Sequence, residues 1–263
     1  MSLSHLDVAS AIKFTQSFDA ERRPIDKTFP VVIANEDFFL KRYVPAHTAT
    51  FQSDFFGEVA SYILGTFLDV PMPPKALSWE GLSFDLPPTL RDALGIQSEA
   101  GWVGLWATQR VEALVKPTYH HDEIEHALIE LLEGQDYRRI IAFDLFVANV
   151  DARPSNILLS PNGLACAFDN ERAFANCTDW SKLPICRKDI PPSSIPSSVA
   201  SRRQFAQTIV AEVRGLCAIY SARRHEIRAA LLGGVRNDWV PHAIEFLDFR
   251  AENLPDLLSQ RLA

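Results

Sequence analysis

The stretch N-V-D-A-R-P-S-N, Asn149 to Asn156, decides how this chain is read. It closes an almost continuously apolar run from Ile140 to Val150 and gathers polar side chains where a core has no use for them. Asp151 and Asn156 stand five apart. After them come Ile157 to Leu159, the turn-forming Ser160-Pro161-Asn162-Gly163, and an apolar run from Leu164 to Phe168 that ends on Asp169-Asn170. Two short strands joined by such a turn form a hairpin. A hairpin here folds Asp151, Asn156 and Asp169 toward one point.

These residue types are the minimal protein contribution to phosphoryl transfer. A carboxylate orients a hydroxyl nucleophile, while an amide oxygen and a second carboxylate hold magnesium. Asp151, Asn156 and Asp169 fill those roles in that order. The D-x-x-x-x-N spacing followed by an apolar strand and an aspartate is that of kinase catalytic and metal loops, although neither H-R-D nor D-F-G is present. The competing reading makes Asp151 and Asn156 turn formers at a helix end, with Asp169-Asn170 merely stopping a strand. Arg153, inside the loop, either meets the transferred phosphoryl group or pairs with a surface acid. Glu171 reads as a solvated loop acid in preference to a further metal ligand.

Working outward, the first half alternates at strand period. Val31 to Ala34, a polar turn at Asn35-Glu36-Asp37 and Phe38 to Tyr43 read as a hairpin opened by Pro30, with an earlier strand around Ala11 to Phe18 beside it. From Phe51 the apolar positions Phe55, Val59, Tyr62, Ile63, Leu64 and Phe67 recur at helical spacing up to the V-P-M-P-P break, Val70 to Pro74, so one amphipathic helix follows. Lys75 to Trp79 and Trp102 to Arg110 read as strands around a Pro-started helix at Pro88 to Leu94. After Pro117 the pattern is helical: Asp122 to Leu132, Tyr137 to Val150, Arg203 to Tyr220, His225 to Leu232 and Val240 to Phe249, with Pro184 to Ser198 an extended loop. The spacing predicts an α+β, two-lobed fold. Residues 1–110 form an N-lobe of antiparallel sheet plus one main helix, and residues 111–263 a mostly helical C-lobe.

Within that order Lys41 stands in an N-lobe strand and Glu58 on the helix that follows. A kinase uses such a lysine on the ATP phosphates and such a glutamate to hold the lysine. Each is commonplace alone; their order ahead of Asp151, Asn156 and Asp169 carries the weight.

On F-F-L-K-R-Y (Phe38 to Tyr43), G-E-V-A-S-Y-I-L-G-T-F-L-D-V-P-M-P-P (Gly57 to Pro74), F-D-L-F-V-A-N-V-D-A-R-P-S-N-I-L-L (Phe143 to Leu159) and A-F-D-N (Ala167 to Asn170), the chain resembles the HipA-like kinase family, within the broader group of phosphatidylinositol-kinase-like folds. The resemblance runs from about Arg22 to Asp169. It implies an ATP- and magnesium-dependent kinase with a Lys41–Glu58 ion pair, Asp151 as the catalytic residue and Asn156 and Asp169 as magnesium ligands. It further implies a protein Ser/Thr hydroxyl as acceptor. Some members work as one half of a toxin–antitoxin pair, so an antitoxin-like partner is among the implied partners. The chain departs from the pattern upstream of Lys41, where Ala20 to Phe29 holds no glycine although a phosphate-covering loop exploits glycine amides. Either Arg22, Arg23 and Lys27 replace that loop with side-chain charge, or the chain is a pseudokinase serving as a binding or regulatory module. A lipid or small-molecule kinase is a third reading, because acceptor sites lie on loops that vary freely.

Composition trims the alternatives. A net charge of −7 argues against a nucleic-acid surface, since phosphate contacts need concentrated lysine and arginine. No apolar run approaches the roughly 20 residues that span a bilayer, and Met1 to Ser10 lacks the basic and apolar regions of a signal peptide. A cytoplasmic location is expected. Cys166, Cys177, Cys186 and Cys217 show no C-x-x-C spacing and read as free thiols. In H-H-D-E-I-E-H, His120 to His126, a single E-x-x-H lacks the second motif a di-iron site requires, and an acidic helix start is the simpler reading.

Overall fold

The structure, a computed structural model, describes residues 2–9, 12–14, 28–45, 51–99, 101–111, 118, 123–159, 165–174, 195–235 and 238–263. The chain divides into two compact units, Met1–Phe55 with Pro73–Glu112 and Phe56–Met72 with Ala113–Ala263.

The first unit is built on a sheet of β1 (Ser2–His5), β2 (Lys13–Phe14), β3 (Thr28–Ile33), β4 (Glu36–Tyr43), β5 (Lys75–Leu82) and β6 (Trp102–Gln109), in the order β1-β5-β6-β4-β3-β2. All neighbours are antiparallel except β1, which runs parallel to β5. Ser2 to His5 is too polar to read as a strand, and backbone pairing with β5 is what makes it one. The expected hairpin is β3 and β4, but its turn is Ala34-Asn35: both residues have positive φ, 50° and 66°, while Glu36 and Asp37 already pair with Ile33 and Val32. Two-residue hairpin turns with positive φ match the right-handed twist of the flanking strands, which a longer polar turn does not. Phe29, Val31, Ile33, Phe38 and Leu40 alternate onto one face and are buried with Leu90 and Leu94, at and just beyond α2 (Pro88–Ala93), each contributing about 1.5–3 kcal/mol.

The helix expected from Phe51 is α1 (Phe51–Phe67). Every residue from 54 to 65 is buried, so it is enclosed on all faces and not amphipathic. In the second unit its end is held by side chains: Arg139 donates to the Leu68 carbonyl (3.2 and 3.0 Å) and Arg223 to that of Phe67 (2.9 Å), satisfying acceptors that a helix C-terminus leaves open.

The second unit contains α3 (Ile124–Leu131), α4 (Gln135–Phe146), the antiparallel hairpin β7 (Ile157–Leu159) and β8 (Ala165–Ala167), α5 (Val199–Gly234) and α6 (Val240–Leu262). The two helices expected between Arg203 and Leu232 are one. Residues 221–224 contain neither Gly nor Pro, and Tyr220 and Arg224 both bind Asp248 on α6 (2.9 and 2.6 Å), so the polar stretch is a helix face and not a stop. Glu125 on α3 accepts the backbone N–H groups of Ser197 and Ser198 (3.0 and 3.3 Å) ahead of α5. Those bonds, led by the Ser197 hydroxyl, hold its carboxyl down at about 2. Cys166 and Cys217 are buried free thiols, as expected, while Cys177 and Cys186 lie outside the described residues. Of the extended loop expected over Pro184 to Ser198, residues 184–194 lie outside the described residues, as does the turn at 160–163.

Candidate active site

The site begins where α4 stops. The helix ends at Phe146, four residues short of the apolar run that predicted it. Ala148 takes a positive φ of 49°, its N–H donates to Leu145 (3.2 Å) and the Asn149 N–H donates to Asp144 (2.8 Å). This is a Schellman close with alanine in the place that normally takes glycine, at a conformational cost of about 1–2 kcal/mol. Arg250 of α6, fully buried, secures the same end by donating from Nε to the Phe146 carbonyl (2.8 Å) and from its second arm to that of Leu145. The chain therefore leaves the helix in one direction, and Asn149 to Asn156 becomes a loop with fixed ends.

Within that loop Asp151 and Asn156 meet. Asn156 is buried and donates from Nδ2 to the Asp151 carbonyl (2.9 Å) and to its carboxylate (3.3 Å). With Nδ2 engaged, Oδ1 is the atom of this amide that remains to accept. Arg153 is exposed and donates from Nε to Asp151 Oδ1 (3.0 Å), with Nη2 on the same oxygen. The acid it pairs with is the aspartate assigned to the chemistry.

Asp169 follows β8. The Phe168 N–H donates to the Asn156 carbonyl (3.4 Å), which ties the two loops together, and Asp169 has φ 64°. A non-glycine residue in the left-handed region is sparsely populated and persists only when its surroundings hold it. They do: the Asn170 N–H donates to Glu58 Oε2 (3.1 Å), and the Val150 N–H to the Arg172 carbonyl (3.2 Å). Carboxylate oxygens of Glu58, Asp169 and Glu171 lie within 4.8 Å of one another. Glu171 is thus half-buried beside two other acids, not the solvated loop acid expected. Glu58, Asp169 and Glu171 offer only hard oxygen donors, the set that suits magnesium.

Gly57 makes this approach feasible. A Cβ there would stand 2.8 Å from the Glu171 carbonyl oxygen and 2.9 Å from that of Asn170. Glycine inside a helix costs about 1 kcal/mol relative to alanine, so its presence beside Glu58 is a signal the sequence carried and periodicity alone passed over. Gly57→Ala is expected to destabilise the fold by about 1–3 kcal/mol in urea denaturation despite that propensity gain. A variant as stable as wild type would show that the 170–171 backbone gives way freely.

Asp144 is the other residue missed. It is buried on α4, and burial first, then the charge of Asp151, pushes its carboxyl up to about 7 against a lowering hydrogen bond from Asn149. A raised acid stabilises fully below its unfolded value near 4 and loses that contribution as pH rises through 7. Wild type minus Asp144→Asn stability, compared by urea melts at pH 4.5 and pH 8, is therefore expected to fall with pH, by at most about 4 kcal/mol. An unchanged difference would place the Asp144 carboxyl near its ordinary value.

Of the other expected site residues, Lys41 is half-buried on β4 of the first unit, opposite Trp106 and Thr28, and Glu58 belongs to the second unit. Arg23, like Arg22 and Lys27, lies outside the described residues. His126 pairs with Glu130 (3.1 Å) on an exposed helix face, which fits the acidic helix start.

No family model and no curated protein sequence matches the chain. Among solved structures it is similar to the crystal structure of a Helicobacter pylori proinflammatory kinase, CtkA, with a TM-score of 0.53 over 89% of this chain and 94% of that one, at 13% identity. The fold is kinase-like. The α+β, two-lobed architecture expected from the sequence is the one observed, and among the described residues no helix is long and apolar enough to cross a membrane.

Proposed function

We propose that the chain is a cytoplasmic, HipA-like phosphotransferase that moves the γ-phosphoryl group of ATP to a hydroxyl acceptor, a protein Ser/Thr in the first instance. The observation that carries this is the pairing of Asp151 with Asn156 in one loop, hydrogen-bonded to the loop that bears Asp169, within a kinase-like fold. Asp151 orients the acceptor hydroxyl and takes its proton as the oxygen bonds to the γ-phosphorus and the bond to the departing ADP breaks. Arg153, which pairs with the Asp151 carboxylate, would follow the transferred group. Asn156 and Asp169 would hold magnesium, whose charge offsets that of the phosphates. Lys41 takes the ATP phosphates by the resemblance, and Arg23 supplies side-chain charge in place of glycine amides.

Incubation with γ-labelled ATP, magnesium and cell lysate tests the reading. Label on a protein is expected; label on a lipid or small molecule would move the acceptor class, and no label anywhere would overturn transfer. The glycine-free Ala20 to Phe29 favours one second reading, a pseudokinase. A thermal shift with ATP and magnesium separates the two, since ligand at ~100 times its dissociation constant stabilises by about 2.7 kcal/mol. A shift together with transfer excludes the pseudokinase, and no shift favours it. An antitoxin-like partner belongs to the same proposal and is tested by co-purification from the source cell.

A further inference from the structure

Behind the loop sits a buried polar pair that phosphoryl transfer does not itself use. Asp144 and Asn149 are 6% and 1% exposed, and Asn149 Nδ2 donates to Asp144 Oδ1 at 2.9 Å. The other end of the same amide faces the chemistry: Asn149 Oδ1 accepts the Asp151 N–H at 3.2 Å, and its backbone carbonyl accepts the Ala152 N–H at 3.2 Å. An asparagine amide has two ends of opposite polarity, and only one orientation gives Asp151 an acceptor. Once ionised, at a pH above about 7, the Asp144 carboxylate is acceptor-only and selects the observed orientation, with Nδ2 on Asp144 Oδ1 and Oδ1 on the Asp151 N–H.

We propose that Asp144 is a positioning residue for the catalytic loop, acting through Asn149, whose amide it holds in the one orientation that fixes the backbone of Asp151. The chain of contacts is Asp144 carboxylate, Asn149 amide, Asp151 N–H, all within the second unit and all anchored where α4 ends. Both residues are buried, and a buried polar group left without its partner keeps its full desolvation penalty. The inference rests on Asp151 being the residue that meets the acceptor.

The polarity of the pair supplies the test. Assayed at about pH 8.5, above the raised Asp144 value, Asn149→Asp faces Asp144 with a second carboxylate, removes the donor and repels. Adding Asp144→Asn restores a donor–acceptor pair with the charge moved to the other side, while the new carboxylate at 149 still accepts the Asp151 N–H. Asn149→Asp is expected to lower kcat about 100-fold with KM for ATP within about threefold, the scale of a catalytic group displaced by about 1 Å. The double variant is expected to recover to within about tenfold of wild type. Asp144→Asn alone, which keeps a carbonyl for Asn149 Nδ2, provides a folded reference expected within the same tenfold range. Hydrogen-exchange protection of the Asp151 amide, read by NMR, is expected to drop at least ~10-fold in Asn149→Asp and to return in the double variant. No recovery of either readout in the double variant overturns the proposal, as does full kcat in Asn149→Asp. Should wild type itself transfer no phosphoryl group, the proposed function fails while the amide protection still decides whether Asp144 positions the loop.

Discussion

Asp151→Asn is expected to leave phosphoryl transfer about 10²–10⁴-fold below wild type, with ATP affinity changed by no more than a few fold. The substitution is nearly isosteric, and Asn156 Nδ2 still finds the position 151 carbonyl it binds at 2.9 Å, so the loop keeps its principal internal bond. What disappears is the acceptor for the hydroxyl proton and the charge that Arg153 faces. Because Asp151 is part-exposed on a turn and not buried in the core, the melting temperature should move little. Single-turnover transfer and ATP titration separate the two effects. Full activity in this variant would remove Asp151 from the chemistry and restore the reading of the stretch as a plain helix-ending turn.

The second large effect concerns stability. Arg250→Met is expected to destabilise the fold by about 3–5 kcal/mol, because it takes the charged donor from the Phe146 carbonyl and leaves the Leu145 carbonyl only the longer bond from the Ala148 N–H. Arg250 is 0% exposed, its guanidinium lies 5.4 Å from the Phe246 ring, and it donates to the carbonyls of Leu145 and Phe146 at the end of α4. A cation at a partly buried helix C-terminus adds up to about 2 kcal/mol beyond the hydrogen bonds. Met fills much of the volume, so the loss is not a cavity effect, and relief of the buried charge offsets only part of it. Urea denaturation measures the change; a loss below about 1 kcal/mol would show that water or a rotated backbone takes over both carbonyls. Since the same carbonyls lie just before Asn149, transfer activity should fall along with stability.

Asp151 and Arg250 differ in what marks them along the chain. Asp151, Asn156 and Asp169 were legible from spacing, because a polar cluster at the end of an apolar run and a turn-joined pair of strands leave few ways to fold. The hairpin of β3 and β4 and the helix from Phe51 were legible for the same reason. Arg250 was not, since an arginine in a helical tail has no periodicity that marks it as buried. Asp144 looked like an interruption of an apolar run, and Gly57 like a neutral helix position; each takes its meaning from a partner far away in sequence or around a turn. The single helix from Val199 to Gly234 shows the converse error, a polar face mistaken for a break.

Local chemistry thus determined the element types, the α+β kinase-like class and the identity of the polar loop, because hydrophobic period and turn residues act over a few positions. The close of α4 at Phe146, the left-handed Asp169, the bond from the Asn170 backbone to Glu58 and the buried pair behind Asp151 were decided only by the tertiary structure. Each depends on which backbone groups are buried together, and the penalty for leaving such groups without partners is a property of the packed chain and not of any stretch within it.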